Sequence, residues 1–276
     1  MAGPAWSAGV PTAAAVPPGS CYFGDEFKAC AVKSRVWVSA DTVVVTFALD
    51  SPEAEFNLPT CACVLARGGA DDKGEAFVRP YTPISTNAMK GQFELMVKVY
   101  PEGNLSKHLS TVAVGATVDF KHIVFNVKLQ YPFHKKRVGM IVGGTGISPM
   151  IQALHSVLGT PSDPTRVSML YGSRTSDGIL AKEVLDEWCA AHADRLEVTH
   201  VLSNEPADSK WAGDKGFISA KLISEHFAPP SDGGDVLIFV CGPPPMYNAF
   251  CGPRTDKEVT GILADLGYSA DQVCKF

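Results

Sequence analysis

Apolar positions in the first half of the chain recur every second residue. Residues 93–100 run Phe-Glu-Leu-Met-Val-Lys-Val-Tyr, which puts Phe93, Leu95, Val97 and Val99 on one face of a strand and Glu94, Met96, Lys98 and Tyr100 on the other. Similar short β-branched or apolar runs fall near 29–38, 42–49, 61–66, 76–83 and 116–121, separated by turn-rich stretches such as 67–74. Six short strands with one helix predict a small antiparallel β-barrel. From about residue 138 the pattern changes. A buried-type strand at 138–142 is followed by Gly143-Gly144-Thr145-Gly146 and then by Ser148-Pro149, an expected N-cap and first helical position, with the helix ending before Gly159. Strands at 166–171, 196–202 and 235–241 alternate with helices at 181–193 and 219–227. In an expected last helix Val259, Ile262, Leu263 and Leu266 share one face and Gly267 follows as its cap. Such alternation predicts a doubly wound α/β domain with a parallel sheet, of the nucleotide-binding type. The expected organisation is a Pro/Ala-rich flexible lead at 1–21, a barrel at 22–137 and the α/β domain at 138–276.

Composition leaves this picture intact. The 276 residues are 46% hydrophobic and 19% charged, with a mean hydropathy of +0.07, which is globular. Residues 1–24 hold no charge, but Pro4, Pro11, Pro17 and Pro18 break them into pieces too short for a bilayer helix. An integral membrane segment is therefore not expected, and the lead lacks the basic start of a secretory signal. The eight cysteines, including Cys61 and Cys63 as expected strand residues, suit reduced thiols in a reducing compartment. No His or second Cys pair completes a metal set. A net charge of −5 argues against a nucleic-acid binder, yet the charge is uneven. Residues 1–137 hold 14 basic against 12 acidic side chains, and residues 138–276 hold 10 against 17. Between Phe120 and Ser162 there is no acid, while Lys121, Lys128, Lys135, Lys136 and Arg137 are present. This is either an ordinary solvated surface or a positive face for an acidic partner.

Four motifs carry chemistry. A glycine turn between strand and helix brings a diphosphate to main-chain amides and the positive helix end, although Pro149 takes the third glycine position of the usual dinucleotide fingerprint. Arg79-Pro80-Tyr81-Thr82-Pro83-Ile84-Ser85 offers a cation, a flat ring and two hydroxyls on a proline-stiffened strand, or is merely an edge strand protected by its prolines. Gly103-Asn104-Leu105-Ser106 reads as a helix start and a second phosphate seat, or as an ordinary capped helix. Cys241-Gly242-Pro243-Pro244-Pro245-Met246 places a thiol at the carboxyl end of a strand, where such sheets bind ligands, although core cysteines are commoner.

Together with Lys98-Val99-Tyr100 and the terminal Phe276, these motifs in this order resemble the NADH-cytochrome b5 reductase family, within the ferredoxin-NADP reductase superfamily, over about residues 25–276. The resemblance implies FAD in the barrel and NADH in the second domain. It gives Arg79 the FAD diphosphate, sets Pro80 and Tyr81 against the flavin, and aims Thr82 near flavin N5. Val97, Lys98 and Tyr100 would line the flavin and adenine side, and Gly103, Asn104, Leu105 and Ser106 would seat the diphosphate. Gly144, Thr145 and Gly146 would lie between the cofactors, with Cys241, Gly242, Pro243 and Met246 shaping the nicotinamide pocket and Phe276 near the flavin. Thr82, Lys98 and Cys241 are the expected catalytic residues.

The implied activity is hydride transfer from NADH to FAD, followed by single-electron transfer to cytochrome b5, whose acidic surface would meet the basic stretch. The alternatives are a flavin reductase serving another one-electron acceptor, as in the flavin module of nitrate reductase, and an FAD/NADH-binding redox sensor. A monomer in the cytoplasm is expected, as a soluble form or as a reductase lacking its anchor. Ser39-Ala40-Asp41-Thr42 lacks a His usual in the family, so proton release would use water or Thr82. Ser203-Asn204 stands where NADPH-excluding members often carry an acid, and NADH preference is expected.

Overall fold

The computed structural model describes residues 9–14, 16, 20–123 and 129–276. The chain divides into two compact units, Met1–Tyr131 with Ile151–Thr160, and Pro132–Met150 with Pro161–Phe276.

The first unit is an antiparallel sheet of β1 (Lys28–Ser39), β2 (Thr42–Ala48), β3 (Val64–Gly68), β4 (Phe77–Tyr81), β5 (Gln92–Lys98) and β6 (Thr117–His122), in the order β4-β3-β6-β1-β2-β5. Its free ends meet through the segment after β4, where Ile84 N–H donates to the Glu94 carbonyl (2.9 Å) and Glu94 N–H to Ser85 Oγ (3.0 Å). Inward residues of the strands, among them Val32, Val45, Val64, Phe93, Leu95 and Phe120, form one core. Helix α1 (Asn104–Thr111) adds Leu105 and Leu109 to it. Phe93 lies at its centre, stacked on Phe56 at 4.7 Å and edge-on to Phe120 at 5.0 Å. Cys61 and Cys63, expected in a strand, precede β3 instead: Ala62 N–H closes a turn on the Pro59 carbonyl, and Cys61 is left-handed (φ 62°). None of the eight cysteines forms a disulfide. Most of the expected lead lies outside the described residues. Within the described part, Thr12 donates its N–H to His155 Nδ1 and accepts from Thr86 Oγ1, and these two bonds hold it in place.

The second unit is a parallel sheet in the order β10-β9-β8-β7-β11-β12. Its strands are β7 (Arg137–Gly143), β8 (Arg166–Ser173), β9 (Leu196–Leu202), β10 (Asp214–Lys215), β11 (Val236–Cys241) and β12 (Val273–Lys275). Alternate positions such as Ile141 and Leu170 on one face, Met140 and Tyr171 on the other, are all buried, as a sheet covered on both sides requires. The helices are α2 (Ile147–Leu158), whose later residues belong to the first unit, α3 (Lys182–Ala191), α4 (Ala220–His226), α5 (Pro244–Phe250) and α6 (Gly261–Asp265). The edge strands β10 and β12 have two and three residues, too few to show a period.

Two local expectations change. Ser148 is not the cap of α2, because a 3-10 turn at Gly144–Gly146 runs directly into a helix that starts at Ile147; Pro149 still falls in the first turn, where no N–H is needed. Helix α5 begins on Pro244 and Pro245 for the same reason. The expected last helix shrinks to five residues: the Lys275 ammonium takes the carbonyls of Pro253 (3.0 Å), Asp256 (3.0 Å) and Glu258 (2.8 Å), and Gly261 is left-handed (φ 69°). Val259 therefore stands outside α6, while Gly267 (φ 94°) follows the Leu266 cap as expected.

Candidate functional site

In the first unit, the Arg79 to Ser85 segment leaves the sheet edge at β4 and is pinned from behind. Gln152 Nε2 donates to the carbonyls of Pro83 (2.8 Å) and Ser85 (2.6 Å), so the buried end of the segment is fixed while its start stays accessible. Arg79 and Pro80 are exposed, and Arg79 makes no ion pair among the described residues. Tyr81 is half-buried, and burial pushes its phenol up to about 12 against a smaller opposing effect of Arg79; it is neutral at ordinary pH. The Thr82 hydroxyl, half-exposed beside it, has no hydrogen-bond partner among the described residues.

Lys98, at the end of β5, forms an ion pair with Asp41 at 2.8 Å. Asp41 sits in the two-residue turn between β1 and β2, and pairing of Thr42 with Lys98 brings that turn alongside. Burial acts to raise the Asp41 pKa, but hydrogen bonds from Lys98, Thr42 and Ser39 prevail and hold its carboxyl below the ordinary range. Tyr100 is exposed. Val97, expected to line the flavin, is instead wholly inside the barrel core; its outward neighbour Lys98 is partly exposed at the end of the strand.

At α1 the expected phosphate seat has a consistent form. Gly103 is the N-cap, supplies no side-chain cap, and no acid occupies the first turn, so the first amides are left to an anion. A Cβ on Gly103 would lie 2.3 Å from Ser106 Oγ, so a side chain there would displace that hydroxyl. Ser106 donates to the Gly103 carbonyl (2.9 Å) and accepts from Tyr100 N–H (3.3 Å), so its hydroxyl shapes the turn. Leu105 points into the core and Asn104 is exposed.

In the second unit, β7 lies between β8 and β11, the place where strand order reverses and where open α/β sheets take their ligands at the carboxyl ends. Both expected loops converge there. A Cβ on Gly146 would stand 2.1 Å from the Cys241 carbonyl oxygen, and one on Gly143 2.9 Å from Met246 Sδ. Gly144 (φ 53°) has nothing within 4 Å of its Cβ position, and its carbonyl accepts from the buried Tyr171 hydroxyl at 3.0 Å. Thr145, Cys241, Gly242 and Met246 are partly exposed and Pro243 is exposed, which leaves this edge accessible. Phe276 is 9% exposed: its N–H donates to the Val240 carbonyl (3.0 Å) and its ring lies edge-on to Phe239 at 5.1 Å.

Asp41, Gln152 and Tyr171 are the contributors that sequence reasoning missed. Each acts on a partner that is distant in sequence, and no local signal announces it. Of the basic residues, Lys121 lies on β6 near the Phe27 ring (4.8 Å), Lys135 donates to the Gly234 carbonyl and Lys136 pairs with Asp235 at 2.7 Å. Arg137 is exposed and Lys128 lies outside the described residues. Among the described residues no cluster of His, Cys, Asp and Glu could hold a metal ion, and no helix is long and apolar enough to cross a membrane.

The donor sets suit the groups the motifs imply: an unpaired arginine, an uncapped helix start and an unpartnered hydroxyl for a flavin dinucleotide, and an open glycine turn for a nicotinamide dinucleotide. The chain matches the oxidoreductase FAD-binding domain over residues 29–128 and the oxidoreductase NAD-binding domain over residues 140–252. It is 38% identical to NADH-cytochrome b5 reductase 2 of Yarrowia lipolytica, over 91% of this chain and 86% of that protein. It is also 38% identical to an NADH-cytochrome b5 reductase-like protein of Arabidopsis thaliana, over 91% and 76% respectively. Among solved structures, the cytochrome b5 reductase domain of Ulva prolifera nitrate reductase superposes with a TM-score of 0.72 at 30% identity, covering 81% of this chain and 89% of that one.

Proposed function

The chain belongs to the NADH-cytochrome b5 reductase family of FAD- and NAD-binding oxidoreductases and passes reducing equivalents from NADH to FAD, and from that premise we propose that its acceptor is cytochrome b5. The observation that carries the site assignment is the convergence of the glycine turn and the Cys241 loop where the strand order of the parallel sheet reverses. The flavin half is residues 22–137 and the nicotinamide half residues 138–276.

Bound FAD supplies the conversion of a hydride into two single electrons, which a haem acceptor requires. The protein's part is to bind and orient. Arg79 and the uncapped amides of α1 hold a diphosphate by charge and by hydrogen bonds. Tyr81, neutral and half-buried, offers a flat ring, and the adjacent Thr82 hydroxyl donates at the flavin edge. Lys98, held in place by its ion pair with Asp41, would offer its ammonium as a hydrogen-bond donor to the flavin at the end of β5. In the other half Gly144, Thr145 and Gly146 admit the dinucleotide close to the main chain, with Cys241 and Met246 beside it. Ala40 stands where the family often has His, so the proton leaves through Thr82 or water. NADH is preferred over NADPH. Lys121, Lys128, Lys135 and Arg137 are the cations that favour an acidic haem protein. The protein works as a monomer, and its eight reduced thiols suit the cytoplasm.

The test is steady-state reduction of purified cytochrome b5 by NADH in the presence of FAD. Reduction with a much lower kcat/KM for NADPH is the expected outcome. Rapid ferricyanide reduction without cytochrome b5 reduction would assign another acceptor, and failure to take up FAD would defeat the reading altogether.

A further inference from the structure

At the end of the parallel sheet opposite the glycine turn, β7, β8 and β11 begin around a cavity of about 230 Å³. Arg137 and Arg166 are the first residues of β7 and β8, and Gly143, the last of β7, lies about 20 Å along the strand. The cavity is therefore separate from the edge assigned to the nucleotide. Arg137, Arg166, Ser168, Phe227, Asp232 and Val236 are among its walls.

The register explains how it forms. Arg137 pairs with Arg166 on one side and Val236 on the other, which sets the two arginines side by side on one face of the sheet. Two residues further on, Gly139 lies between Ile238 and Ser168 on that same face. The glycine lets Phe227 come down onto bare main chain, since a Cβ there would stand 2.7 Å from its ring. That ring and Val236 form the apolar side.

Like charges on adjacent strands repel, and here no protein group offsets them. Neither guanidinium makes an ion pair or a hydrogen bond among the described residues, and the Ser168 hydroxyl has no partner there either. The surrounding acceptors are engaged elsewhere. Glu197, next to Ser168 in register, takes His226 at 3.1 Å, Asp235 takes Lys136 at 2.7 Å, and the Ala228 carbonyl takes the Tyr268 hydroxyl at 2.7 Å. Asp232 is exposed at the rim and bridges to neither arginine.

We propose that this cavity binds a dianionic oxyanion, inorganic phosphate or the phosphoryl head of a small monoester, between Arg137 and Arg166 with the Ser168 hydroxyl donating to it. Two guanidinium forks match the charge and the oxygen geometry of such a group. The volume lies below the roughly 300 Å³ at which pockets for drug-sized ligands begin, so it is too small to enclose a nucleotide and suits a phosphate with at most a short carbon chain against Phe227. The site stands outside the proposed reaction and does not depend on it.

The test is calorimetric titration of the FAD-loaded protein in excess NAD, which keeps the probes from the nucleotide seats, at constant ionic strength and about pH 8, where phosphate is a dianion. Inorganic phosphate and propyl phosphate are titrated separately. Saturable binding with a Kd on the order of 1 mM is expected, and the tighter of the two probes tells a free ion from an ester. Arg166→Met, a change at an exposed position, weakens binding at least about tenfold. Asp232→Asn, which removes the one acid in the cavity wall, strengthens it several-fold. Absence of saturable binding for both probes overturns the proposal. So does binding that neither substitution alters, because the ion then sits elsewhere.

Discussion

Single side chains in this protein are held by partners far along the chain, and the buried histidines show the cost. His155 is 2% exposed, and its Nδ1 accepts the Thr12 N–H, a role open only to the neutral ring. Burial takes it from 6.5 to about 4, and His200, half-buried between Tyr171 and Trp211, is taken to about 4 by burial and then by Lys182. For a base whose folded pKa lies below the unfolded one, the unfolded chain binds more protons across the interval. Stability is therefore complete above pH 6.5 and falls as the pH drops towards 4, by about 3 kcal/mol for His155. Urea midpoints measured from pH 7.5 to 4 should show this decline, and His155→Gln should flatten it by roughly the His155 share. Loss of stability confined to below pH 4 would contradict the account.

Elements place the loops, and the glycines in them differ in kind. Gly146→Ala would push a methyl group to within 2.1 Å of the Cys241 carbonyl, and backbone on both sides cannot yield cheaply. Gly144→Ala meets open space and costs only the left-handed strain of ~1 kcal/mol. Calorimetric titration with NAD should show affinity reduced on the order of tenfold or more for Gly146→Ala, with a smaller loss for Gly144→Ala. The reverse ranking would remove the contact between the β7 and β11 loops from the account of the site. The same logic explains α5, which tolerates prolines at its first positions, and α6, which is shortened because Lys275 takes the carbonyls a longer helix would need.

At the scale of the whole molecule, charge is the property that no single element carries. The barrel half is near neutral with a basic, acid-free run at its end, and the nicotinamide half is acidic. If the run steers an acidic haem protein, the KM for cytochrome b5 should rise several-fold between about 50 and 300 mM salt. Lys121→Glu should reproduce that rise at low salt. Lys136→Glu should do less than its charge suggests, because Asp235 already neutralises Lys136 at 2.7 Å. Salt-independent cytochrome kinetics would assign the run to ordinary solvation.

Local chemistry made much of this readable in one dimension. The switch from a period of two to alternating strands and helices, the glycine turn after β7, the uncapped start of α1 and the cap at Gly267 all depend on neighbouring residues, so the sequence by itself determined the two architectures and the motif positions. Tertiary structure decided what depends on pairing. It placed Val97 inside the core, started β3 only after the Cys61 turn, and gave two- and three-residue edge strands their place through hydrogen bonds to a neighbour. It also chose the partners that orient the site, Asp41 for Lys98 and Gln152 for the segment after Thr82. The physical reason is the same in each case: a hydrogen bond or a burial between residues distant in sequence leaves no periodic trace along the chain, and only the folded backbone brings its two ends together.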